Sequence, residues 1–227
     1  MIPAPKQKGL DYSVFEKKID NKRKKAICSS VIYGPNAAGK TNIIGAMDTM
    51  RAIVLRGHIL NIDESSINEA ANCLELIPNN KLKERKPVCF YISFIEDNYC
   101  IEYSFSMNIG FFLEKSFQRV IIDEKLCIND HLIFNRKGNH VDLKYTKKLA
   151  DLFMVNADTF NRMKDIVDAS LNSTELFLMN GFKLILSRKI VDLIQQWFKN
   201  KFMVIYKANA IEVIRRFEEY KLARILC

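Results

Sequence analysis

Eight consecutive residues, Gly34-Pro35-Asn36-Ala37-Ala38-Gly39-Lys40-Thr41, satisfy the pattern G-x-x-x-x-G-K-[ST] at every fixed position. Each fixed position has a chemical reason. Glycines let the backbone turn tightly enough for successive N–H groups to point at phosphate oxygens. A helix opening at the end of the loop adds the positive end of its dipole. Lys40 supplies a point charge for the β- and γ-phosphates, and the Thr41 hydroxyl is a ligand for Mg²⁺. The expected nucleotide cradle is therefore Gly34, Pro35, Asn36, Ala37, Ala38, Gly39, Lys40 and Thr41, with Lys40 as the catalytic group and Thr41 as the metal ligand. ATP and Mg²⁺ are the expected cofactors. The plain alternative, a glycine turn leading into an ordinary helix, gives no reason for the Lys-Thr pair.

A second candidate is Val120-Ile121-Ile122-Asp123-Glu124, a hydrophobic run that ends in two carboxylates. As an acidic strand end beside a nucleotide, Asp123 would hold Mg²⁺ through water and Glu124 would polarise the attacking water. The competing reading is a strand whose Asp and Glu face solvent. Lys125-Leu126-Cys127-Ile128 continues directly as further strand, which favours that reading, and Gln118 is a poor fit to a glutamine-bearing loop for the same reason. The cysteines (28, 73, 89, 100, 127 and 227) and histidines (58, 131 and 140) are scattered, without a C-x-x-C or a histidine pair. That argues against a zinc site or a disulfide framework and fits a reducing, cytoplasmic setting.

The elements that must position these groups follow from hydrophobic periodicity. Residues 11–19 suggest a short strand and residues 21–25 a charged turn. Residues 26–33, small and apolar, read as a buried strand leading into the loop. Ile43, Ile44, Met47, Met50, Ile53 and Val54 then recur at helical spacing up to Gly57, a natural helix stop. Residues 58–87 are polar and irregular, with one short helix near 66–76. From Val88 the period becomes two: Phe90, Ile92 and Phe94, then Tyr99, Ile101, Tyr103 and Phe105 across a polar turn at 96–98. Residues 117–128, 131–134 and 141–145 extend this into an antiparallel meander over 88–145. The remainder reads as helical at 147–155, 159–169, 174–186 and 187–200, then a short strand at 202–206 and an amphipathic helix at 210–226. Leu176, Phe177, Ile190, Leu193, Ile194 and Trp197 supply either a local core or an association surface.

Composition sets the outer limits. The chain has 227 residues, 48% hydrophobic and 27% charged, values of a globular protein and not of a disordered one. No apolar run approaches the roughly 18 residues of a membrane span, and residues 1–10 lack the apolar centre of a signal peptide, so no membrane partner is expected. Lys and Arg exceed Asp and Glu by 35 to 26, a formal charge of +9, which permits nucleic acid as a partner without specifying it.

The stretch Val31-Ile32-Tyr33-Gly34-Pro35-Asn36-Ala37-Ala38-Gly39-Lys40-Thr41-Asn42 resembles the start of the ABC- and SMC-like ATPases. More closely, it is similar to prokaryotic AAA-family ATPases related to overcoming-lysogenization-defect nucleases and other phage-defence ATPases. The likeness extends to 90–106, Leu132-Ile133-Phe134-Asn135-Arg136 and Trp197-Phe198-Lys199-Asn200-Lys201, covering residues 26 to about 206. It adds Asn42 to the nucleotide cradle. It implies an α/β P-loop NTPase core, ABC-ATPase-like, carrying an antiparallel meander and a helical C-terminal segment: residues 1–87 as the P-loop subdomain, 88–145 as the β region and 146–227 as the helical region. It implies ATP binding, and hydrolysis in a defence or DNA-maintenance setting, with the γ-phosphate enclosed between two subunits. Such enzymes also need a serine-glycine signature and a switch histidine; the signature is not found in this sequence, so the chain reads as the N-terminal portion or a shortened form. Two other functions compete: a non-catalytic nucleotide-binding interaction module, and a P-loop small-molecule kinase. The kinase would need alternating βα units in place of a meander.

Overall fold

The computed structural model describes residues 14–60, 84, 86–110 and 119–204. Within them the chain is a mixed α/β structure with two separate antiparallel sheets. The first is a hairpin of β1 (Val14–Ile19) and β2 (Lys22–Ile27). Its turn is Asp20-Asn21, both left-handed at φ 46° and 63°. Two consecutive positive φ angles make the tight turn whose twist suits a hairpin, and Asp and Asn tolerate them. The turn is thus confined to two residues, and the basic run expected to be a charged turn is instead strand β2.

After β2 the expected buried strand is absent. Residues 29–35 have no regular structure, and Val31, Ile32 and Tyr33 are 69%, 47% and 88% exposed. A strand needs a neighbour for its backbone, and none of the described residues pairs with this stretch. Helix α1 (Lys40–Arg56) follows. Its C-terminal half is anchored: Met50, Ile53 and Val54 are buried, and the Arg51 guanidinium donates through Nε to the Phe198 carbonyl at 3.0 Å. Its N-terminal half is not, for Ile43, Ile44 and Met47 are exposed. Gly57 ends the helix as expected, at φ 81° with its N–H on the Ile53 carbonyl at 2.8 Å. A Cβ there would lie 2.9 Å from Met179 Cβ, so both conformation and space call for glycine. The backbone then pairs with the far end of the chain. Ile59 N–H donates to the Thr174 carbonyl at 2.9 Å, and Leu176 N–H to the Gly57 carbonyl at 2.8 Å.

The second sheet is the expected meander, five antiparallel strands in sequence order: β3 (Val88–Glu96), β4 (Tyr99–Asn108), β5 (Val120–Ile128), β6 (His131–Lys137) and β7 (His140–Leu143). Alternate residues of β4, Ile101, Tyr103, Phe105 and Met107, form its buried face. Two register shifts break the alternation. One pairs Ser106 with Asp123 but Met107 with Ile121, leaving Ile122 as an extra residue in β5. The bulge moves the inward phase of β5 from Ile121 to Glu124, Leu126 and Ile128.

Helices cover the buried face. A 3₁₀ segment (Lys147–Leu152) leads to α2 (Ala157–Arg162) and α3 (Lys164–Ala169). The continuous helix expected over 159–169 is thus split at Met163, and that over 147–155 is shorter and more tightly wound. The helix expected over 174–186 forms only from Leu178, as a π-type turn at Leu178–Phe182 followed by one α turn at Lys183–Ile185; its expected start is not helical, because 174–176 is engaged with 57–59. Helix α4 (Arg188–Asn200) matches expectation. Its N-cap Ser187 is fully buried, accepting from Ile190 N–H at 3.1 Å and donating to the Leu152 carbonyl at 2.5 Å. The core is aromatic. Phe134 meets Phe177 edge-on at 5.0 Å and Phe182 at 5.3 Å, while Phe94 stacks on Trp197 at 3.9 Å. Leu176, Phe177, Ile190 and Ile194 are all in this core, with Leu193 and Trp197 packed against it. Their apolar surface is used locally. Phe202, Met203 and Val204 form no strand. The expected helices at 66–76 and 210–226, residues 1–13 and Gln118 lie outside the described residues.

Candidate nucleotide-binding site

The loop is shaped by two left-handed residues, Ala37 at φ 63° and Gly39 at φ 83°, with Ala38 between them at negative φ. This alternation of hand over consecutive residues turns backbone N–H groups toward one concave side, a nest for an anion. Gly39 is needed for its φ, since a Cβ there would meet nothing closer than 3.9 Å. Gly34 is not held by φ, and its Cβ would make only an ordinary 3.5 Å contact with Ala38. Ala38 N–H donates to the Pro35 carbonyl at 3.3 Å, closing the turn, and Asn42 N–H donates to the Gly39 carbonyl at 3.1 Å.

Lys40 is the first residue of α1, and its side chain runs back over the loop. Its ammonium donates to the carbonyls of Gly34 at 2.7 Å and Pro35 at 2.6 Å. The charge is therefore held against the start of the loop by the loop itself. The helix N-terminus is otherwise open: no side chain caps it, and its first turn carries no acidic residue. Free N–H groups and an unopposed dipole favour an anion at this point. Thr41 and Asn42 are exposed on that first turn, and among the described residues the Thr41 hydroxyl has no protein partner. Residues 34–42, the expected cradle, are thus gathered at one surface.

Asp123 and Glu124 are not part of that surface. Both lie on β5, as the strand reading had it, but only Asp123 faces outward, accepting from the Ser106 hydroxyl at 3.0 Å. Glu124 is fully buried, which corrects the solvent-facing alternative. Its carboxylate accepts from the Tyr103 hydroxyl at 2.8 Å and from the backbone N–H groups of Phe177 at 2.7 Å and Leu178 at 2.9 Å. Arg136, its cross-strand neighbour on β6, lies 3.7 Å away and is also fully buried. The Arg136 guanidinium donates to the carbonyls of Gly138 at 2.9 Å, Glu175 at 2.7 Å and Asn172 at 2.8 Å. Burial pushes the Glu124 carboxyl up, against the pull of the N–H groups, the Tyr103 hydroxyl and Arg136. Burial likewise lowers the Arg136 guanidinium and, with the Glu124 charge, raises the Tyr103 phenol well above its ordinary value. The Glu124 contacts are thus committed to neighbouring strands, through Tyr103 and Arg136, and to holding the 177–178 backbone against the sheet.

Sequence reasoning missed this cluster. Its signal was Arg136, an arginine at the inward phase of a strand, but two irregularities had to be known: the extra Ile122 turns Glu124 inward, and the extra Ile133 in β6 sets Arg136 opposite it. Among the described residues no three His, Cys, Asp or Glu side chains converge as a metal site. The Mg²⁺ of a nucleotide site needs no such cluster, because phosphates and water supply most of its ligands. No helix among the described residues is long and apolar enough to cross a membrane. No protein-family model, curated protein or solved structure matches the chain.

Proposed function

We propose that this chain is an ATP-binding module of the P-loop NTPase class, ABC-ATPase-like, from a defence or DNA-maintenance system. The observation that carries the reading is the conjunction at residues 34–42: a left-handed nest, an uncapped helix N-terminus and a lysine folded over the loop. In this reading the backbone of 34–40 receives the β-phosphate, Lys40 turns from the loop carbonyls to the phosphate oxygens, and Asn36 and Asn42 flank them. Thr41 holds Mg²⁺, whose bound charge would offset that of the phosphates. Positioning and charge neutralisation are what such a loop contributes. Hydrolysis asks for more, because charge on all three γ-phosphate oxygens must be met at once. The carboxylates that resembled a catalytic strand end are engaged elsewhere. Turnover therefore depends on groups from a second surface, given by further polypeptide, self-association or a partner subunit, and the chain alone should show at most trace ATPase activity.

The commitment of Glu124 to the core favours one second reading, in which ATP is a structural or regulatory ligand that is never hydrolysed. A P-loop small-molecule kinase is less well supported, since the large sheet is an antiparallel meander and lacks alternating βα units. Labelled-ATP binding, turnover and sedimentation measured on the same preparation separate these. Binding with negligible turnover by a monomer, and turnover appearing on association, is the expected pattern. Brisk Mg²⁺-dependent turnover by a strict monomer would refute the need for a second surface, and phosphate transfer to a nucleoside would favour the kinase.

A further inference from the structure

The β1–β2 hairpin carries six basic residues in nine positions: Lys17, Lys18, Lys22, Arg23, Lys24 and Lys25 from 17 to 25. Its register sets Lys17 opposite Lys24 and Lys18 opposite Arg23. Like charges directly opposite each other weaken a two-stranded ribbon, so their placement needs a counter-charge. On the face that meets the large sheet the counter-charge is present. Lys22 and Lys24 reach Asp130 at 2.9 and 2.5 Å, Lys17 donates to the Asp97 carbonyl, and Ile19 is buried. The opposite face carries Val14, Glu16, Lys18, Arg23, Lys25 and Ile27. There Glu16 pairs with Lys25 at 2.7 Å, while Lys18 and Arg23, both exposed, have no anionic partner among the described residues.

We propose that this outward face of the hairpin binds the phosphate backbone of double-stranded nucleic acid, with Lys18 and Arg23 as its paired phosphate contacts. Charge complementarity selects a polyanion. The face carries no aromatic side chain on which an unpaired base could stack, which selects a duplex over a single strand. Lys18 and Arg23 are assigned to phosphates, which fix position on the duplex and carry no sequence information. A two-stranded ribbon is narrow enough to lie along a groove while its cations reach the flanking phosphates. The proposal stands apart from the nucleotide reading, and its test uses no ATP.

The test is fluorescence anisotropy with a labelled duplex of about 20 base pairs, titrated over a range of KCl concentrations. The parent chain is compared with K18E/R23E and with K125E/K137E, which makes the same change of charge on exposed residues of β5 and β6. The parent should bind, with affinity falling steeply as salt rises. K18E/R23E should bind at least about tenfold more weakly and lower the slope of log affinity against log salt by about two, one per lost phosphate contact. K125E/K137E should change affinity much less. Equal losses in the two variants would reduce the effect to net charge and overturn the proposal. So would no measurable binding by the parent at low salt, tighter binding to the matching single strand, or a preference for vesicles containing phosphatidylserine.

Discussion

The phosphate loop with the first half of α1 and the meander with its helical cover are built on opposite principles. The meander is held by side chains: alternate residues of β4, the aromatic ring cluster and even a carboxylate–guanidinium pair are out of water. The loop is held by backbone, two left-handed residues and a lysine folded onto carbonyl oxygens, and the apolar residues beside it remain exposed. A region that must receive a ligand leaves N–H groups and charge unsatisfied, whereas a region that must hold its shape satisfies nearly all of its buried polar atoms, His58 Nδ1 being the exception among the described residues. Substitutions in the meander should therefore change stability, and those in the loop should change ligand affinity with little change in stability.

The sharpest way to break that contrast is Arg136→Met. It leaves Glu124 buried without its cation and Asn172 and Glu175 carbonyls without donors, and should cost about 3–5 kcal/mol in urea unfolding. Glu124→Gln should cost less at neutral pH, and its gap from the parent should depend on pH. The folded-state carboxyl is raised, so its contribution is fullest below the ordinary value near 4.5 and declines as pH rises through the folded-state value. The gap should accordingly narrow from acid toward neutral pH; a gap that widens would overturn this reading of the cluster.

Lys40→Ala is the mirror experiment. Losing a charge-assisted phosphate contact of about 1.5–3 kcal/mol should weaken ATP binding roughly 10- to 150-fold, with the melting temperature nearly unchanged. Thr41→Ala should chiefly weaken the Mg²⁺ dependence. If Lys40→Ala binds labelled ATP as well as the parent does, the nucleotide site is elsewhere. Gly57→Ala, at the junction of the two regions, should cost more than about 1 kcal/mol, since it adds a Cβ against Met179 at a left-handed position. A neutral result in thermal melts would mean that α1 can shift away from the 174–180 segment. The smallest effect is expected for Asp130→Asn, below about 1 kcal/mol because the ion pairs are partly exposed. Hydrogen bonds from Lys24 and Lys22 hold the Asp130 carboxyl below the ordinary value near 3.8. Its contribution is present above that value and lost as pH falls through the lower folded-state value, which unfolding in buffers taken below the ordinary value near 3.8 would detect.

Period-two hydrophobicity made β3 to β7 legible, and helical spacing made α1 and α4 legible, down to the Gly57 stop. Local signals failed where long-range pairing decided the outcome. Residues 174–177 have helical composition, yet their backbone is drawn into hydrogen bonds with 57–59. Residues 29–33 have strand composition like Ala26 and Ile27, yet only the latter two, which lie beside β1, are strand. The loop was legible because its pattern encodes φ angles and one charge, both local properties. The inward position of Glu124 was not, because one extra residue in β5 inverts which side each following residue occupies.

Helix α1 is a beam clamped at one end. At roughly 1.5 Å per residue it is on the order of 25 Å long. Its far end is fixed by Gly57 and by the grip of Arg51 on the last turn of α4, while the end that begins at Lys40 extends beyond the core. A push at the loop would tilt the whole rod instead of bending it locally, and the carbonyls of Phe198 and Lys199 would feel the displacement through Arg51. A displacement of the free tip would therefore load the end of α4 through the single guanidinium of Arg51.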